Sequence, residues 1–322
     1  MTATAAAGLL AWAPVVAVAV EEPAGSGALP AARPEPAPPR QAQVVVGESR
    51  VITAAAGDSL TSVAARFGLS VTSLARANAL ASDARLAIDQ PLRIETAHVV
   101  PAVLDTLAPD AILVNVPQRM LFERRGGALA GAYPIAAGRP SWPTPLGEFT
   151  VDARAIDKPW FVPRRIQEEM RRLGKPVEKI VPPGPANPLG RHWLGLSRSS
   201  IGIHGTNAPA SVHTLRTHGC IRLHPDDIAA LYARTRIGDP VTIVYEPVLL
   251  AAEESGRLCL EAHPDAYHRA GDARTALERD ATAAGLKDRI DWRRAAEILA
   301  AREGLARDVT VGGDGALCVP AN

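Results

Sequence analysis

Short apolar runs separated by Gly and Pro dominate the middle of the chain. Ala111–Val116 is almost wholly apolar, and Arg119–Glu123 alternates after a turn at Pro117. Arg125-Gly126-Gly127 has the composition of a hairpin turn. Ala132–Ala136, Glu148–Val151 and Asp239–Tyr245 continue the strand pattern. This punctuation predicts a mainly β region, a sandwich or barrel. One helix, from about Pro163 to Leu173, and a Pro-rich loop interrupt it.

The flanks read differently. Val51–Thr53 suggests a strand, and Leu60, Val63, Ala64 and Phe67 then recur at helical spacing behind a cap at Asp58 or Ser59. Gly68 ends that helix. A second helix is expected over Val71–Asn78 and a closing strand over Leu86–Ile94, giving a small βααβ unit. Beyond residue 246, Arg257–Ala262 reads as a strand, Asp272–Ala283 and Trp292–Arg302 as helices, and Val309–Val311 and Ala316–Val319 as short strands. At the front, Ala5–Val20 is apolar and uncharged but shorter than the ~20 residues of a membrane span. It fits the apolar part of a signal peptide, with Ala17-Val18-Ala19 as a cleavage site. Met1–Gly8 lacks Lys and Arg, which leaves an uncleaved anchor with membrane association as the alternative. Pro23–Gln43 forms a semi-rigid spacer. The division expected is 1–20 signal peptide or anchor, 21–49 linker, 50–96 small module, 97–107 linker, 108–246 catalytic region and 247–322 helical C-terminal extension.

A net charge of +1 over 322 residues argues against nucleic acid as a partner. The candidate chemistry lies in Ile201-Gly-Ile-His204-Gly205-Thr206 and Thr217-His218-Gly219-Cys220-Ile221-Arg222-Leu223. A thiol becomes a strong nucleophile beside a base or cation, and a histidine supplies the base and then protonates the leaving amine. His204 and Cys220 stand 16 residues apart, so a loop must bring them together. Gly219 permits close approach of substrate to backbone. Amides near Cys220 offer an oxyanion hole. Arg222 is a cation suited to a carboxylate. A lone Cys or His is usually structural; the combination carries the reading. Five of the eight histidines fall between His192 and His224, and Cys220, His218, His213 and His224 have the atom types of a zinc site. No pair has a familiar ligand spacing, so no metal is expected. Residues 158–191 hold eight cations against three glutamates, which suggests a basic lid that attracts carboxylates.

The two motifs resemble the signature of YkuD-type L,D-transpeptidases. Thr144–Thr150, Val181–Gly190 and Pro225–Ile228 agree, and the likeness runs over roughly 108–262 toward the Gram-negative periplasmic branch. Thr217 stands where Ser is more usual, and Ala186 where an acidic residue is often found. Residues 50–96 resemble a LysM module through Gly57-Asp58-Ser59-Leu60, Ala64, Phe67-Gly68, Leu74, Asn78 and Pro91–Ile94. Asp89 replaces the usual Gly there, and Asp also tolerates turns.

The resemblance implies a YkuD-type β-sandwich or barrel and a cysteine acyltransferase. Cys220 attacks the carbonyl of the third residue of a peptidoglycan stem and expels D-alanine. His204 is the general base, oriented by the carbonyl of Gly205. His218 and Gly219 complete the pocket, and His218 supports the oxyanion. Arg222, Thr206 and Thr217 are expected at the substrate. The acceptor is an amine of a second stem or of an outer-membrane lipoprotein lysine, and no cofactor is needed. The module binds glycan strands and is expected to be separable from catalysis, and the protein belongs in the periplasm. A carboxypeptidase or amidase with the same acyl step, and a non-catalytic murein anchor, are the alternatives. In an oxidising compartment Cys259 and Cys318 are the natural disulfide pair; the alternative is two buried thiols.

Overall fold

The computed structural model describes residues 45–197 and 201–320. The expected leader and the spacer up to residue 44 lie outside the described residues. Alternating side chains from eight strands meet on one inner face, and the sheet they form closes on itself. The strands are β1 (Ala111–Asn115), β2 (Met120–Arg125), β3 (Ala128–Gly138), β4 (Gly147–Ile156), β5 (His192–Leu196), β6 (Gly202–His204), β7 (Ile221–Leu223) and β8 (Pro240–Val244). They pair in the order β3-β7-β6-β5-β4-β8-β1-β2, and β2 returns to β3. Only β6–β7 and β8–β1 are parallel among these pairs. Ile112, Val114, Leu121, Ile135, Leu194, Ile203, Ile221 and Ile243 fill the inside. Truncating such a residue to Ala typically costs about 2–5 kcal/mol.

In the small module, helix α1 (Leu60–Phe67) starts at a capping box. Ser59 Oγ accepts from Ser62 N at 3.1 Å, and Ser62 Oγ accepts from Ser59 N at 2.9 Å. Helix α2 (Val71–Ala77) follows a cap at Ser70, and strands Ser49–Thr53 and Pro91–Glu95 pair antiparallel. The closing strand begins at Pro91, not Leu86, because Asp89 sits in the left-handed region (φ 61°) and turns the chain first. The module does not stand apart. Helix α1 packs on the turn Pro209–Ser211, and Gly68 lies against Pro134 and Met120. Residues 97–107, expected as a linker, are packed: Ala97, Val99, Val100 and Leu104 are buried, and His98–Val99 pairs with Val45–Val46.

Two further helices, α3 (Arg164–Arg172) and α4 (Pro225–Arg234), belong to the barrel region. In the C-terminal extension, Val248–Ala252 and Leu258–Ala262 form a hairpin covered by α5 (Ala273–Ala283) and α6 (Trp292–Ala301). Only Arg307–Asp308 joins as a strand; the two expected late strands reduce to single bridges at Thr310 and Leu317. Cys259 and Cys318 form a disulfide with Cα atoms 6.1 Å apart.

Glu261 ties these parts together. Its carboxylate is fully buried and lies 2.9 Å from His98 Nδ1 and 2.8 Å from His263 Nε2. It accepts from Val99 N at 2.6 Å and Gln118 Nε2 at 3.0 Å. Burial alone would raise its pKa, but the two histidines outweigh that and hold it at about 2.

No helix among the described residues is long and apolar enough to cross a membrane.

Two outcomes are expected. Without reductant, denatured protein should titrate one thiol per chain, and with reductant three. Three thiols in both conditions would exclude the bridge, which closes a loop expected to stabilise by ~4 kcal/mol. Stability should also fall in acid. Burial lowers His204, His213 and His263, His204 to about 3. Folded pKa values below the unfolded ~6.5 mean a contribution present above that pH and lost as pH falls. Asp227, raised to about 6 by burial and then Asp226, opposes this, since its contribution is lost as pH rises. Burial lowers His192 and His224 as well, so one group against five predicts a lower Tm at pH 5 than at 7.5; an equal or higher Tm at pH 5 would contradict the assignment.

Candidate active site

Ile203 lies opposite Ile221 and His204 opposite Arg222 in the parallel β6–β7 pair. The two isoleucines point into the core, so His204, Cys220 and Arg222 share the outer face. In this register Cys220 falls beside Gly202, and His204 is the next residue along β6 on the same face. On β5, Trp193 stacks on His204 with centroids 5.8 Å apart and planes 20° apart. Gly202 makes room for it, since a Cβ there would lie 2.4 Å from the indole. His204 is buried and Cys220 half-buried.

His204 Nδ1 lies 2.6 Å from the Gly205 carbonyl oxygen. A carbonyl only accepts, so Nδ1 carries the proton and Nε2 keeps a lone pair. Burial pushes the imidazole down to about 3; Arg222 adds to this, and the Gly205 and Leu189 carbonyls oppose it. Burial also pushes the Cys220 thiol up, against the Gly202 amide, Arg222 and Lys158. Thiol and imidazole are therefore both neutral at rest near pH 7. Lys158 is held over the Trp193 ring at 4.4 Å.

The turn before Cys220 is fastened by hydroxyls. Thr217 Oγ1 donates to Cys220 O at 2.5 Å and accepts from Gly219 N at 3.2 Å. Gly219 adopts φ +105°, and a Cβ there would press on Ile201 at 3.2 Å. Thr144 Oγ1 donates to Gly219 O at 3.0 Å and accepts from Gly138 N at 2.8 Å. Tyr267, from the C-terminal extension, accepts from Thr144 N at 3.2 Å and donates to Gly138 O. This relay orients the Gly219–Cys220 peptide and hence the Cys220 amide.

Three expected substrate contacts are engaged elsewhere. Thr206 Oγ1 accepts from Ala208 N at 2.9 Å, and Thr217 is committed to the turn; both are buried. These two hydroxyls hold the backbone around them in place. Arg222 Nη1 donates to Ser211 Oγ at 2.8 Å and pins the loop between the two motifs. His218 faces the lid: its Nε2 lies 2.6 Å from Glu169 Oε2, and Trp142 meets its ring edge-on at 4.8 Å. His213 is buried with φ 59° and its amide donates to Ile135 O at 3.0 Å, while His224 caps α4.

Thr144, Trp193, Glu169 and Tyr267 were not singled out by the motifs. Thr144 opens one of the segments that carried the resemblance, and Glu169 sits in the charged lid; Trp193 and Tyr267 have no local signal.

Comparison with known proteins identifies the family. The YkuD model, an L,D-transpeptidase catalytic domain, matches residues 109–243, and a LysM domain model matches 52–95. The probable L,D-transpeptidase ErfK/SrfK of Salmonella typhimurium is 30% identical over 270 residues, 80% of this chain and 84% of that protein. Two Escherichia coli proteins are similar: the probable L,D-transpeptidase YcfS, 30% identical over 73% of this chain and 74% of its own length, and YbiS, 28% over 70% and 73%. The chain belongs to the L,D-transpeptidase family and carries a LysM domain in front of its catalytic domain.

The relay predicts a separable defect. Tyr267→Phe should lower kcat several-fold with little change in KM or Tm, and Thr144→Ser should retain more activity than Thr144→Val. Equal losses in Tm and kcat would mean a purely structural role.

Proposed function

We propose that this transferase acylates itself on a peptidoglycan stem peptide. Cys220 Sγ attacks the carbonyl carbon of the third stem residue as His204 Nε2 takes the thiol proton. The tetrahedral intermediate collapses, the bond to D-alanine breaks, and His204 returns the proton to the departing amine. The thioester is then attacked by an amine of a second stem or of a lipoprotein lysine, which restores the thiol. The Cys220 amide and its neighbours receive the developing oxyanion. The observation that carries this reading is the shared outer face of His204 and Cys220, with the Gly205 carbonyl selecting the tautomer that leaves Nε2 basic.

The LysM and transpeptidase domains together imply binding to peptidoglycan. We place the protein in the periplasm. The Cys259–Cys318 bridge suits an oxidising compartment, and the relatives named above come from Gram-negative bacteria. Water as acceptor would give a carboxypeptidase with the same first step.

Mass analysis of muropeptides after incubation separates these outcomes: a joined product supports transfer, and loss of D-alanine with addition of water supports hydrolysis. Cys220→Ala should abolish the acyl-enzyme, and His204→Ala should slow it roughly 10²–10⁴-fold. An equal adduct on Cys220→Ala would overturn the nucleophile.

A further inference from the structure

Two donors from different parts of the catalytic domain converge on one carboxylate beside the nucleophile. Arg139 follows β3, and its Nη2 lies 2.6 Å from Glu169 Oε1. His218, two residues before Cys220, reaches Glu169 Oε2 at 2.6 Å. Their backbones are locked to each other, since Arg139 N donates to Thr217 O at 3.1 Å. The backbones that carry the two donors are thus joined without help from α3. Trp142 forms its wall: it meets His218 edge-on, the Arg139 guanidinium lies 5.7 Å from its ring and that of Arg165 lies 4.7 Å. Arg139 Nε is buried and has no hydrogen-bond partner among the described residues. A ligand carboxylate in fork geometry would engage it.

The group that fills this cradle sits on a weakly held element. Helix α3 has nine residues, of which only Ile166 is buried, and its N-cap is Pro163 with no side-chain cap. Its apolar support is the small cluster of Val162, Ile166 and Val181 with Trp142, Trp160 and Met170. A helix this short has little stability of its own. His218 first, and Arg139 next, hold the Glu169 carboxyl below its usual range, so it is an anion in place.

We propose that Arg139 and His218 form a subsite for a carboxylate of the acyl-donor peptide, and that Glu169 is the internal carboxylate occupying it until the donor displaces it. This rests on the stem-peptide reading above. The ligand must present an anion close to the carbonyl that Cys220 attacks, and stem peptides carry carboxylates on their backbone and side chains. A neutral donor would leave Glu169 seated and α3 latched over the site. The same contact therefore selects charge and shields the thiol.

The test measures binding in the full chain carrying Cys220→Ala, so that no turnover is needed. The probes are a tetrapeptide stem with free carboxylates and versions in which each carboxylate other than that of the terminal D-alanine is amidated in turn. One amidation should weaken binding by about tenfold or more, the scale of a charge-assisted hydrogen bond. Arg139→Gln should weaken the free stem similarly and add no further loss for that amidated stem. Arg139→Lys, which keeps the charge without the fork, should fall between. Glu169→Gln should tighten the free stem several-fold by removing the competitor. The proposal fails if no amidation matters, if Arg139→Gln weakens free and amidated stems alike, or if Glu169→Gln weakens both. D-alanine release by the Cys220 chain is scored separately. Its absence alongside carboxylate-dependent binding would remove the reaction and keep the subsite.

Discussion

The structure depends on a parallel pairing between two strands of three residues each. Parallel neighbours cannot be joined by a tight turn, so a crossover must leave the sheet and return. Here it is the 16 residues from Gly205 to Cys220, which contain only the turn Pro209–Ser211 and the short strand Leu215–Thr217. The Thr206 and Thr217 hydroxyls fasten turns within it, and the rest of the holding comes from around it. His213 N donates to Ile135 O, Ala137 N donates to Thr214 O, and Arg222 reaches Ser211. Helix α1 of the LysM domain covers the turn itself. The LysM domain is therefore also a brace for the loop that joins His204 to Cys220.

The neutral thiol and imidazole follow from the same geometry. Burial disfavours charge on both, so the pair rests uncharged. Groups that favour a thiolate are already in position, namely Arg222, Lys158 and the Gly202 amide, and the Gly205 carbonyl favours a charged imidazole. Such groups need no reorganisation when charge develops, which is where fixed dipoles are most effective. The arrangement keeps the resting thiol protonated while holding groups that would support charge on the sulfur.

Local signals made much of this legible. Ser59, Gly68 and the spacing of Leu60, Val63 and Phe67 mark α1, because caps and periodicity act within a few residues. An apolar run marked β1 and alternation marked β2 for the same reason. Cys220 and His204 stood out through their motifs. The Thr144–Tyr267 contact spans 123 residues and the His218–Glu169 contact 49, and no local pattern encodes either. Glu261 is equally silent: within Leu258–Ala262 it looks like an edge residue facing water, yet it is the buried centre where three segments meet. Thr206 and Thr217 illustrate the converse. Their place in the motifs suggested contact with substrate, whereas a hydroxyl beside a glycine-rich turn also has backbone groups within reach.

A barrel that carries His204, Cys220 and Arg222 on its outer face cannot support them with its own core alone. His204, Cys220 and Arg222 alternate with Ile203, Ile221 and Leu223, and only the latter three are gripped from within. Part of the outer layer comes from the barrel, since Trp193 of β5 stacks on His204, and the rest comes from elsewhere in the chain. Helix α3 meets His218 through Glu169, and the LysM domain sits on the crossover. The C-terminal extension, which has no chemical motif, reaches all the rest. Tyr267 fixes the peptide before the nucleophile, Glu261 anchors His98 and Gln118, and Leu305 enters the core of the LysM domain. Its own end is returned to its first hairpin by Cys318. The extension is thus a clamp more than a cap: it closes around the barrel from the side on which the barrel has nothing of its own to offer.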